Sequence, residues 1–122
     1  MSRDVSKLDA YVVADEVIVD VYRVTAGFPT EERFGLQSQI RRAVVSISTN
    51  IIEGASRRTE ADFIQFLSIA LGSANEVRHL LKVARRLDFL TAEQIELVSA
   101  RVERIPRLLS GLISALERGH AR

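Results

Sequence analysis

The chain has 122 residues, no cysteine and a formal net charge of +1. That length fits one ordinary domain with a core of its own, and the missing thiols exclude disulfides and thiolate metal sites. The near-neutral balance excludes a strongly basic nucleic-acid binder of the usual kind. The opening Met1-Ser-Arg-Asp-Val-Ser-Lys7 lacks the apolar core of a signal peptide, and every apolar run is far short of the ~20 residues a membrane span needs. The expectation is a cytoplasmic protein, neither exported nor inserted in a membrane.

Charge is unevenly distributed. Residues 1–30 hold three basic and five acidic groups, whereas residues 31–58 hold five basic and three acidic ones. An acidic first element therefore faces a basic second one. Fifteen of the seventeen cations are Arg, whose planar fork suits carboxylate or phosphate, although a GC-rich genome gives the same bias.

The first helix is predicted from about Ser6 or Asp9 to Ala26. Its many valines favour a strand, but Asp9, Glu16, Asp20 and Arg23 recur at steps of seven, four and three, which is helical spacing. Gly27, Phe28 and Pro29 then supply a left-handed C-terminal glycine, a hydrophobic clasp and a stop. Thr30 to Leu36 reads as a short turn, weakened as helix by Gly35.

The second helix carries the stripe Leu36, Ile40, Ala43/Val44, Ile47 and Ile51 and ends at Gly54. Thr59 caps the third, which runs through Phe63, Phe66/Leu67, Ala70, Ala74, Val77, Leu81 and Ala84 to about Leu87. Its small-residue run Ala70-Leu-Gly-Ser-Ala74 is expected to admit a neighbouring backbone. Thr91 and Gln94 make a capping box for the fourth helix, with Ile95, Val98, Val102, Ile105, Leu109, Leu112 and Leu116 as consecutive a/d positions. Pro106, inside that helix, is expected to kink it unless the helix is already bent there. Four helices with short connectors predict an all-α, antiparallel up-down-up-down four-helix bundle as a single domain over residues 1–122.

The first helix is apolar nearly all round. Val45, Ile52, Ile64, Ile69, Leu71, Leu97, Leu108 and Ile113 also lie off the core stripes. So much apolar surface implies association into a homo-oligomer.

Glu76 and His79 stand in the Glu-x-x-His spacing of di-iron bundles, but such sites need a second copy, and the only other histidine is His120. No metal or other cofactor is expected. Ser46, Ser48, Ser68 and Ser73 lack an activating base, and no phosphate-cradling glycine loop is present, so no enzyme activity is expected. Gln39, Arg42, Ser46, Asn50, Glu53 and Arg57 share one face of the second helix. That face is either a recognition strip, with Arg41, Arg42, Arg57 and Arg58 contacting phosphate, or a structural polar seam involving Ser46, Asn50, Glu53, Asn75 and Glu76. Arg78, Lys82, Arg85 and Arg86 form a basic stripe that an oligomer would repeat into a ring able to meet nucleic acid.

The segment from Phe28 to Gly54, with Arg57 and the stretch Phe63-Ile-Gln-Phe-Leu-Ser-Ile-Ala-Leu-Gly-Ser-Ala-Asn-Glu76, resembles the four-helix-bundle family first noticed as reading frames within intervening sequences of bacterial 23S ribosomal RNA genes. The resemblance implies a homopentamer and kinship with the accessory protein of diversity-generating retroelements, which assists a reverse transcriptase and binds nucleic acid. The matching positions are Arg41, Arg42, Ser46, Asn50, Glu53, Gly54, Arg57, Ser73, Asn75 and Glu76. Taken together, these readings predict a non-enzymatic oligomeric module. It would bind RNA or a ribonucleoprotein partner, including a reverse transcriptase-like protein, through Arg-rich surfaces. The alternative is a structural or protein-interaction scaffold without nucleic-acid affinity.

Overall fold

A computed structural model describes residues 3–120, the side chain of residue 120 excepted. The described residues form helices and connectors with no strand. Helix α1 spans Asp9–Thr25, α2 Leu36–Ala55, α3 Glu60–Arg86, α4 Ala92–Val102 and α5 Arg104–His120. Short 3-10 turns at Val5–Lys7 and Thr30–Glu32 precede α1 and α2. Among the described residues, no helix is long and apolar enough to cross a membrane.

The apolar stripes make one continuous core. On α2, Leu36, Ile40, Ala43, Val44, Ile47 and Ile51 are buried, and on α3 so are Phe63, Leu67, Ala70, Ala74, Val77, Leu81 and Ala84. Val13, Val17 and Val21 enter from α1, and Val98, Val102, Ile105, Leu109 and Leu116 from α4 and α5. Branched valines are tolerated in α1 because burial of Val13, Val17 and Val21 outweighs their small helix penalty. Phe66, Ile95 and Leu112, expected in the stripes, are only half-buried.

The α2–α3 pair is the tightest. Ser46 meets Ser73 midway along it, while nearer the connector Gly54 lies against Phe63 and Phe66. A Cβ built on Gly54 would stand 2.7 Å from the Phe66 Cβ and 3.0 Å from the Phe63 Cδ1. Within the small-residue run of α3, Gly72 has nothing within 4 Å, whereas Ala70 and Ala74 are buried and Ser73 meets Ser46 of α2.

Two expectations about helix ends need correction. No glycine among the described residues has a positive φ, so Gly27 does not close α1 by a left-handed turn. The terminal carbonyls of α1 are instead taken by side chains of α2. Gln37 Nε2 donates to Thr25 O at 2.8 Å and Arg41 Nη2 to Tyr22 O at 3.2 Å. With the orphan acceptors satisfied from outside, a Schellman turn is unnecessary.

The second correction concerns Pro106. It does not kink one long helix; the chain breaks at Glu103 into α4 and α5. Pro106 is the third residue of α5, in the first turn, where its missing N–H has no intrahelical acceptor to lose. The two segments together line one side of the bundle, and their buried residues keep the expected spacing through the break.

The remaining ends follow local chemistry. Thr59 accepts from Asp62 N and caps α3, and Thr91 and Gln94 form the reciprocal capping box of α4. Gly35 has no side chain to cap α2, and Glu32 Oε1 accepts from Leu36 N at 3.0 Å in its place. Phe28 packs on Phe89, ring centroids 5.6 Å apart, and ties the α1–α2 connector to the α3–α4 connector at one end of the bundle.

Candidate interaction surfaces

The cations singled out in the sequence do not form one site. Arg41 and Arg42 lie in the first half of α2, and Arg78, Lys82, Arg85 and Arg86 in the last third of α3, which is the neighbouring end of the bundle. Arg57 and Arg58 sit at the α2–α3 connector, at the opposite end.

Several of them are already engaged within the chain. Arg41 Nε donates to Thr25 Oγ1 at 2.9 Å, and its guanidinium lies 4.4 Å from the Tyr22 ring centroid. Arg57 pairs with Glu53 at 3.6 Å and lies over the half-buried Phe66 ring, 4.7 Å from its centroid. Arg78 binds Glu103 at 2.8 Å and Asn75 Oδ1 at 3.2 Å, pinning the α4–α5 break onto α3. Its Nε is buried without a partner. Arg85 reaches Asp88 at 3.4 Å. Among the described residues, Arg42 hydrogen-bonds to the Ser38 hydroxyl of its own helix. Arg58, Lys82 and Arg86 are exposed.

The polar residues between α2 and α3 divide similarly. Asn50 Nδ2 donates to Ser46 O at 2.8 Å and Ser46 Oγ at 2.9 Å, and Ser46 shares a hydrogen bond with Ser73 at 2.9 Å. This chain of three bonds crosses the helix pair. Glu53 and Asn75 are bound to arginines at its margins, and Glu76 and His79 are exposed. Among the described residues no group of three or more His, Asp or Glu is placed to hold a metal ion; the side chain of His120 lies outside the described residues.

Exposed large apolar side chains are spread over the surface: Val12, Val19 and Tyr22 on α1, Val45 and Ile52 on α2, Ile69 on α3 and Leu87 just after it. Tyr22 and Val45 meet at the seam between α1 and α2. Phe34, at the end of the same seam, is 89% exposed. It projects beside Arg33, Arg41 and Arg42 at an open groove of about 730 Å³. Ile64, Leu71, Leu108 and Ile113 are instead half-buried against the core, so they contribute less to a second face than their spacing suggested. Leu97, on α4, is 70% exposed.

Arg33 and Phe34 were passed over in the sequence because a connector has no periodicity to read. The available signal was an aromatic beside an arginine, one residue before a glycine, in a turn where no stripe could bury it.

Comparison with curated proteins gives no match. Among solved structures, the chain is similar to a protein of unknown function from the S23 ribosomal protein family of Bacteroides thetaiotaomicron. The two share 31% identity and a TM-score of 0.79, over 86% of this chain and 95% of the other. A family model described as 23S rRNA-intervening sequence protein matches residues 6–111. The helical order, the α2–α3 pairing and this match over most of the chain lead to one assignment: the chain belongs to the 23S rRNA-intervening sequence protein family.

Proposed function

We propose that the chain is a non-enzymatic, homo-oligomeric module, an antiparallel up-down-up-down bundle repeated about a common axis, that binds RNA or a ribonucleoprotein partner through arginine-rich surfaces. The carrying observation is that Arg42, Arg58, Lys82 and Arg86 form no ion pair among the described residues. Their charge remains available for phosphate. Association multiplies a modest patch: three of these four lie toward one end of the bundle, so a ring of copies presents them repeatedly around its rim. Pentameric association fits the exposed apolar seam between α1 and α2. A reverse transcriptase-like protein is the partner class that the family kinship suggests.

The absence of catalysis is supported by how the hydroxyls are used. Ser48 and Ser68 donate to backbone carbonyls, and Ser46 and Ser73 bond to each other. None of these bonds links a serine to a histidine that could activate it.

The competing reading is a scaffold without nucleic-acid affinity. It is favoured by Arg41, Arg57 and Arg78, whose contacts hold helices together. Titration with a labelled RNA at several salt concentrations separates the two readings. Phosphate binding predicts an affinity falling linearly on a log–log plot, by a slope of about 0.9 per phosphate neutralised on a duplex or about 0.7 on a single strand. No binding at low salt would leave the scaffold.

A further inference from the structure

Two exposed surfaces of this chain complement each other in both shape and charge. The first is the knob formed by Phe34, flanked by Arg33, Arg41 and Arg42 and backed by Tyr22 and Val45. No Asp or Glu lines its groove. The second is an open groove of about 690 Å³ on α4, where Leu97, Ile95 and Ala100 are bordered by Glu93, Glu96 and Glu103. No Lys or Arg lines it. Neither Glu93 nor Glu96 has an ion-pair partner within the described chain.

Among the described residues, Phe34 and Leu97 are the two most exposed large apolar side chains, one in the α1–α2 connector and the other on α4. A phenylalanine exposed to this extent beside arginines has the composition of an interface anchor. We propose that the Phe34 knob of one copy seats in the Leu97 groove of a second copy, with Arg33 against Glu93 and Glu96. This rests on the association proposed above and specifies the surfaces through which it occurs.

The contact is heterologous, joining different patches of the two copies, so it must either close into a ring or propagate as a filament. The fold favours closure. Phe28 on Phe89 places the connector that carries Phe34 at the same end of the bundle as the start of α4, which carries Glu93, Glu96 and Leu97. Patches at the same height meet by rotation about an axis along the helices, without the translation that makes a filament.

The chain contains no cysteine, so disulfide trapping has no background. The double variant Phe34→Cys/Leu97→Cys, oxidised and run without reductant, should give a ladder of covalent multimers whose last rung is the closed ring. Phe34→Cys and Leu97→Cys alone should give none, whereas a mixture of the two should give covalent dimers. An assembled double variant that does not cross-link, or covalent dimers from Phe34→Cys alone, would overturn the proposal while leaving association itself intact. A wild-type protein that remains single-copy at high concentration would overturn both. Should the cysteine variants fail to assemble, charge reversal decides. Arg33→Glu should raise the midpoint concentration for assembly, and adding Glu93→Arg and Glu96→Arg should restore it. A triple variant no better than Arg33→Glu rejects the contact. Phe34→Ala should shift that midpoint at least about 30-fold, the size expected for an interface anchor.

Discussion

Arg41 and Tyr22 are joined twice: the guanidinium donates to the Tyr22 carbonyl at 3.2 Å and lies 4.4 Å from the centroid of the Tyr22 ring. With its third contact, to Thr25 Oγ1 at 2.9 Å, Arg41 holds the C-terminus of α1 against α2. Arg3 does the same at the other end, donating to Ala55 O and Arg57 O, both at 3.1 Å, where α2 ends. These arginines neutralise the negative ends of helix dipoles and fill orphan acceptors that no glycine turn satisfies.

Arg41→Ala should therefore destabilise the fold by about 1.5–3 kcal/mol, the range for hydrogen bonds from charged groups. Arg42→Ala, one residue away and exposed, should stay within about 0.5 kcal/mol. Urea denaturation of both variants checks the contrast. Equal effects would mean that Arg41 is not a helix cap.

Gly54 and Gly72 should respond in opposite directions to alanine. At Gly54 the new methyl meets the Phe66 Cβ, which cannot move without shifting α3, so Gly54→Ala should cost about 1–3 kcal/mol. At Gly72 the methyl meets nothing, and Gly72→Ala should stabilise by up to about 1 kcal/mol through helix propensity. Thermal melting of the two variants should show shifts of opposite sign.

Leu109 is fully buried on the inner face of α5. Leu109→Ala should cost about 2–5 kcal/mol, as truncations of buried leucines do. Chemical denaturation showing a much smaller loss would mean that α5 does not pack as described.

Most of the helical architecture was legible because burial imposes a period. Each buried residue of the α2 stripe and of the α3 stripe falls where a 3.6-residue repeat puts it. The capping residues Thr59 and Thr91 were legible too, since their chemistry is local. What escaped was decided by partners distant in sequence. The end of α1 depends on Gln37 and Arg41, twelve and sixteen residues beyond Thr25, and not on adjacent Gly27. The break at Glu103 is held by Arg78 of α3, so Pro106 could sit in a first turn instead of distorting a continuous helix. The candidate surface was the least legible part. A list of arginines does not reveal that Arg57 is spent on Glu53 and Phe66 while Arg58 next to it is exposed.

Association requires that the exposed apolar residues Tyr22 and Val45, together with Phe34 and Leu97, be covered by other copies of the chain. Light scattering coupled to size exclusion, run on the wild-type protein over a dilution series, measures this directly. The predicted result is one species with a mass several times the 13.6 kDa of the single chain, dissociating only at low concentration. A monodisperse particle of 13.6 kDa at every concentration would contradict it.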